Sequence, residues 1–215
     1  MKGLIVCGGI IRDYDMVSKE ASKADFIICA DGGVTHAKKA GVTPGLIVGD
    51  MDSVVKDALA CFKEKDIPIE TYPTDKDMTD SEIGIWKAVD MGINDLVILG
   101  ATKSRLDHCI GNVLVLKRLL DNNVKAVIKD ENNEIRLIND KIELKKDEGY
   151  KVSLLPLTNE VRGITTRGLK YALDNGTLIM GKSIGVSNEF TKEEVARITI
   201  KEGLLLVIKS KDYEY

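Results

Sequence analysis

The strongest constraint on the fold is a change in how apolar residues are spaced along the chain. Up to about Asp130 they come in short unbroken runs: residues 4–7, 26–30, 46–48, 96–99 and 124–128. Unbroken runs mark strands buried on both faces, as in a parallel sheet. Residues 67–72 form a sixth run, more polar and suited to a place nearer a sheet edge. Between the runs, apolar residues recur at helical spacing. Val54, Val55, Ala58, Leu59 and Phe62 make one stripe, Ile83, Ile85, Trp86 and Val89 a second, and Leu106, Ile110, Val113, Leu114 and Leu120 a long third. Alternating strands and helices predict a doubly wound α/β domain with a mostly parallel sheet over residues 1–129.

Beyond that point, apolar and polar residues alternate. Segments 133–138, 141–144, 151–157, 169–173, 177–180, 197–201 and 204–209 read as short strands. Turn signals separate them at Asp140-Lys141, Glu148-Gly149, Asn175-Gly176 and Glu202-Gly203. Residues 130–215 are therefore expected to form a small all-β sandwich domain.

Hydrophobic residues make up 44% of the 215 positions and charged residues 30%, a balance that excludes disorder. The net charge is -3 with both signs interspersed, so no basic face invites nucleic acid. No apolar run is long enough to span a membrane, and the first one stops at Gly8-Gly9, too short for a signal peptide. A cytoplasmic protein is expected. Cys7, Cys29, Cys61 and Cys109 are widely spaced, and with only His36 and His108 beside them they make no zinc site. Reduced, structural thiols fit best.

Two acidic clusters follow successive predicted strands: Gly49-Asp50-Met51-Asp52-Ser53 and Asp75-Lys76-Asp77-Met78-Thr79-Asp80. Five carboxylates in two short stretches repel unless a cation holds them, and a hard divalent ion such as Mg²⁺, bound to phosphate, is the natural partner. On an extended strand end, Asp50 and Asp52 would point to one side. Ser53 is placed to cap the helix that follows. Thr79-Asp80-Ser81-Glu82 fits a capping box, which explains those four residues structurally but leaves Asp75, Lys76 and Asp77 unexplained. A helix N-terminus also offers amide N–H groups to a phosphate. Asp31-Gly32-Gly33 sits at another strand end, where glycines permit positive φ or close approach. Gly100-Ala101-Thr102-Lys103-Ser104-Arg105-Leu106-Asp107-His108 joins a strand to a helix, with Arg105 suited to bidentate phosphate contact. No G-x-G-x-x-G fingerprint and no Walker A sequence occurs.

In that order, these motifs resemble the bacterial type of the thiamine pyrophosphokinase family, together with Gly168-Leu169-Lys170-Tyr171-Ala172-Leu173 and Ser187-Asn188-Glu189. The resemblance spans nearly the whole chain. It implies an α/β domain that binds ATP and Mg²⁺, a β-sandwich domain that binds thiamine, and a homodimer. It implies transfer of the pyrophosphoryl group of ATP to the thiamine hydroxyl, giving thiamine diphosphate and AMP. By resemblance, Asp50, Asp52 and Asp80 hold the metal and carry the chemistry, one of them taking the alcohol proton. Lys76, Thr79, Arg105, Asp107 and His108 fall to ATP, and Asp31, Ser187 and Asn188 to thiamine. Ser104 departs from the glycine common before the arginine, and Lys76 replaces the glutamine of some relatives. Two rival readings stand beside this one. A Mg²⁺-dependent phosphatase would use an Asp-x-Asp nucleophile, and a non-catalytic nucleotide or vitamin sensor would only bind.

Overall fold

A computed structural model of the chain describes residues 1–52, 54–103 and 105–212, with Lys56 by its backbone alone. Its contacts divide the chain into two units, Met1–Glu131 and Asn132–Tyr215. In the first, strands β1 (Lys2–Val6), β2 (Phe26–Ala30), β3 (Leu46–Gly49), β4 (Ile69–Thr71), β5 (Asp95–Leu99) and β6 (Lys125–Lys129) alternate with helices. The helices are α1 (Tyr14–Ala21), α2 (Gly33–Lys39), α3 (Lys56–Lys63), α4 (Asp80–Asp90) and α5 (Leu106–Asp121). The strand order is β6-β5-β1-β2-β3-β4, and every pairing within it is parallel. As expected from its polarity, the 67–72 run supplies the edge strand β4.

The unbroken runs are buried on both faces. Leu4, Val6, Cys29, Ile47 and Leu99 turn one way and pack with Val17 of α1, Val34 and Ala37 of α2, and Ala58 and Phe62 of α3. On the other face α4 comes so close that a Cβ on Gly84 would touch Val48, Ala30 and Ile28 at 3.5–3.6 Å. The chain leaves β1 toward β4 on one side and returns to β5 on the other. The order therefore reverses between β1 and β5, and in such sheets the crevice beyond the strand ends at that point takes ligands.

Several expectations need correction. Helices α1 and α2 have too few apolar positions to show a stripe in the sequence. Helix α3 starts at Lys56 after an extended Val55, and the expected cap Ser53 lies outside the described residues, as does Ser104. In α5 the inward residues are Leu116 and Leu119, while Leu106, Ile110 and Leu114 are exposed. Two apolar stripes share this helix, and spacing alone does not say which is covered.

The second unit holds two antiparallel sheets. One runs β12 (Asn188–Glu189), β9 (Lys151–Pro156), β14 (Leu205–Ser210), β7 (Asn133–Ile138). The other runs β11 (Gly176–Ile179), β10 (Glu160–Arg167), β13 (Val195–Thr199), β8 (Lys141–Lys145). Val152, Leu154, Leu205 and Val207 of the first sheet pack with Val161, Ile164, Leu178 and Ile198 of the second, which makes a sandwich. Segment 169–173 is not a strand; Leu169 makes only an isolated bridge to Phe190. β10 escapes the alternation rule because Gly163 has φ 68° and the register shifts between Arg162 and Ile164.

One half-buried carboxylate straps the loops beside the crevice. Glu131, just past β6, accepts the N–H groups of Arg12 at 2.6 Å and Asp13 at 3.1 Å and pairs with Lys103. Its neighbour Asp130 accepts the Thr102 hydroxyl at 2.6 Å. Burial alone would raise the Glu131 pKa. Lys103 and the backbone donors outweigh burial and bring it from 4.5 to about 2. A depressed carboxylate stabilises the fold fully above its unfolded pKa and progressively less as pH falls through the folded one. The stability gap between wild type and Glu131→Gln, read by urea unfolding, should be on the order of 3 kcal/mol above pH 4.5 and close toward pH 2. A gap that stays flat from pH 7 to pH 2.5 would contradict this assignment.

Candidate active site

A cavity of about 700 Å³ opens at the carboxyl ends of the parallel strands. Its floor is bare backbone. Gly8 and Gly9 follow β1, Gly32 follows β2, and Gly100 follows β5. The Gly9 N–H donates to the Gly100 carbonyl at 2.8 Å, and a Cβ on Gly9 would stand 2.4 Å from that oxygen. A Cβ on Gly33 would stand 1.9 Å from the Val6 carbonyl oxygen. Close approach, not positive φ, requires the Asp31-Gly32-Gly33 pair: Gly32 has φ -53°, and the left-handed residue is Asp31 at φ 45°.

Asp31 follows β2 and donates its N–H to the Val48 carbonyl at 2.8 Å, which sets it beside the end of β3. There it meets Asp50 and, from the first turn of α4, Asp80. Oxygens of these three carboxylates lie within 4.8 Å of one another. Three hard oxygen donors at that spacing fit a hard divalent cation. The Lys76 ammonium sits among them, 2.8 Å from Asp80 Oδ1 and 3.8 Å from Asp50 Oδ2.

Asp52 falls outside this group. β3 stops at Gly49 and Met51 has φ 65°, so the segment is a turn and not an extended end. Asp52 is exposed, and its N–H donates to Asp50 Oδ1 at 3.1 Å, steadying that carboxylate. Thr79 caps α4 as expected, its Oγ1 accepting the Glu82 N–H at 3.2 Å. The return half of the capping box does not form. Glu82 Oε1 instead accepts Trp86 Nε1 at 3.3 Å and the Arg118 guanidinium.

Arg105 and His108 reach the cavity from the start of α5, and Asp107 does not line it. Asp107 grips Arg105 with both oxygens, at 3.2 Å and 2.6 Å. Three further residues line the cavity without a site role expected from the sequence. Asn112 lines the cavity and donates Nδ2 to the Ala101 carbonyl at 2.8 Å; it lies one helical turn past His108, a spacing that could have revealed it. His36 lines the cavity with its Nε2 2.8 Å from the Gly9 carbonyl, a contact it makes as the donor. Burial lowers its pKa, favouring the neutral ring. Ser81 lines the cavity beside Cys7, whose thiol burial pushes up to about 11 and keeps protonated.

Ser187 and Asn188 belong to the second unit. Ser187 has φ 60° and borders a recess of about 300 Å³ with Asn133, Lys151, Ser210, Lys211 and Asp212. Asn188 is buried, and its side chain is engaged: Oδ1 accepts the N–H groups of Tyr171 and Glu189, and Nδ2 donates to the Tyr171 carbonyl at 2.8 Å. It braces the Tyr171 loop. No helix of the described residues is long and apolar enough to cross a membrane.

The sequence matches two family models, "Thiamin pyrophosphokinase, catalytic domain" over residues 17–128 and "Thiamin pyrophosphokinase, vitamin B1 binding domain" over residues 139–205. A thiamine pyrophosphokinase of Bacillus subtilis is 27% identical over 210 residues, covering 97% of this chain and 98% of that protein. The crystal structure of thiamine pyrophosphokinase from Bacillus subtilis superposes with a TM-score of 0.88 at 25% identity, covering 99% of this chain and all of the other. That of Geobacillus thermodenitrificans superposes with a TM-score of 0.85 at 27% identity, over 100% of this chain and 99% of the other. With both domain models matched in order and the shared fold running the length of the chain, the protein belongs to the thiamin pyrophosphokinase family.

Proposed function

We propose that this chain transfers the pyrophosphoryl group of ATP to the hydroxyl of thiamine, giving thiamine diphosphate and AMP. The observation that carries the reading is the cluster Asp31, Asp50 and Asp80 beside Lys76 and the N-terminus of α4, within a cavity of nucleotide size. Ligand pockets typically measure roughly 300–1,000 Å³. Mg²⁺ held by these carboxylates would offset charge on the triphosphate and help to orient it.

The chain's own groups do the rest. Lys76 and Arg105 hold phosphate oxygens, and the free N–H groups of the first turn of α4 add their partial positive charge. Asp107 orients Arg105 for that contact, and His108 borders the same phosphates. Thr79, with its oxygen committed to Glu82, can still donate its hydroxyl hydrogen. The thiamine oxygen bonds to the β-phosphorus, the bond to the α–β bridging oxygen breaks, and AMP leaves with that oxygen. The hydroxyl proton passes to one of the clustered aspartates. Asp52, exposed in the turn beside Asp50, belongs to the rim of the proposed metal site. Asp31 carries the second assignment of the set, facing the cationic thiazolium, and Ser187 contributes to the vitamin from the second unit. Asn188 acts there through the loop it braces.

We place the ATP- and Mg²⁺-binding domain at residues 1–129 and the thiamine-binding domain at 130–215. Cys7 and Cys29, buried as thiols rather than joined in disulfides, support a reducing, cytoplasmic setting. The exposed stripe Leu106, Ile110 and Leu114 on α5 supports a homodimer, since apolar patches of this kind are commonly covered by a partner.

Incubation with MgATP and thiamine should yield AMP and thiamine diphosphate. Inorganic phosphate alone would favour a phosphatase, and binding without products a sensor. Asp50→Asn and Asp80→Asn should each lower turnover by about a hundredfold or more with unchanged circular dichroism. Near-normal turnover in both would remove the metal role. Light scattering should give twice the 23.6 kDa of one chain, falling to one chain in Leu106→Glu/Ile110→Glu. A wild-type protein that elutes as a monomer at micromolar concentration would end the dimer proposal.

A further inference from the structure

Lys76 stands where a phosphate-binding lysine is least expected, inside the carboxylate cluster. Its ammonium bonds Asp80 Oδ1 at 2.8 Å and approaches Asp50 Oδ2 at 3.8 Å. The contact is sheltered: the side chains of Lys76, Asp50 and Asp80 are 15%, 19% and 20% exposed. These carboxylates are also two of the three whose oxygens converge within 4.8 Å. An ion bridging the three must contend with the ammonium for the same two groups.

We propose that Lys76 is an internal counter-cation that couples occupation of the cluster by a divalent ion to the arrival of a phosphate-bearing substrate. A divalent ion arriving alone weakens the Lys76 pairs and leaves the ammonium with no new partner. An ion arriving with a polyphosphate offers Lys76 phosphate oxygens as replacement acceptors within the same cavity, which Lys76 itself lines. The ion and the nucleotide then favour one another, and by linkage the coupling is reciprocal. The cluster resists filling by free divalent ions and accepts the loaded nucleotide.

The inference rests on the cluster being the metal site, so the test separates the two. Mn²⁺ alone serves as the probe, its binding followed by electron paramagnetic resonance and calorimetry without nucleotide. Lys76→Met should bind Mn²⁺ about tenfold or more tightly than wild type, the effect of removing one close positive charge from carboxylates. Lys76→Arg, which keeps the charge, should remain near wild type. Adding Asp50→Asn to Lys76→Met should erase the gain, and thermal melts should show all variants folded. Equal Mn²⁺ affinity in wild type and Lys76→Met would overturn the counter-cation role while leaving the metal site intact. A gain that survives Asp50→Asn, or no Mn²⁺ binding in any variant while wild type still turns over MgATP, would overturn both.

Discussion

The active-site region depends on backbone packed against backbone at the point where the strand order reverses. Gly9 meets the Gly100 carbonyl, and Gly33 meets the Val6 carbonyl at a distance no side chain would permit. Parallel strands buried on both faces leave their loops as the places where a ligand can enter. At β1, β2 and β5 those loops are stripped to glycine, so the chain ends in a shallow floor of peptide groups. His36 holds that floor at the Gly9 carbonyl, and Glu131 straps its outer margin through Arg12, Asp13 and Lys103.

Charge sets the second constraint. Asp31, Asp50 and Asp80 come from three different strand–helix junctions, and their mutual repulsion opposes the closure of those loops. Lys76 relieves part of it from inside. Asp52 relieves none of it with its exposed carboxylate, but its N–H fixes Asp50. Two aspartates that look equivalent in Asp50-Met51-Asp52 therefore differ in kind: one is a member of the cluster, the other supports it through the backbone.

How far the sequence discloses this depends on whether a feature is local. The unbroken runs predict the parallel strands because burial on both faces leaves a continuous apolar signature. The Thr79 cap is legible for the same reason. Membership of Asp31 in the cluster is not, since it follows from the pairing of Ala30 with Val48, two segments apart in the chain. The turn at Met51 is hidden because a left-handed φ at methionine has no signature in composition. Ser187-Asn188 is visible as a motif, but only the structure shows the Asn188 amide closed on Tyr171. The exposed stripe of α5 reads from sequence as core, because an exposed apolar face has the same periodicity as a buried one.

The half-formed capping box at α4 shows how a local stability device becomes part of the site. Thr79 satisfies the Glu82 N–H, which anchors the helix end that carries Asp80. Released from the return contact, the Glu82 carboxylate takes Trp86 and Arg118, and the Arg118 guanidinium lies over the Trp86 ring at 4.5 Å. Arg118 belongs to α5, whose first turns present Arg105, His108 and Asn112 to the cavity. The acidic wall on α4 and the basic wall on α5 are thereby tied to one another by a contact outside the cavity lining. A full capping box would have stabilised α4 alone; diverting Glu82 stabilises the distance between the two walls, on which any shared grip of a polyphosphate depends.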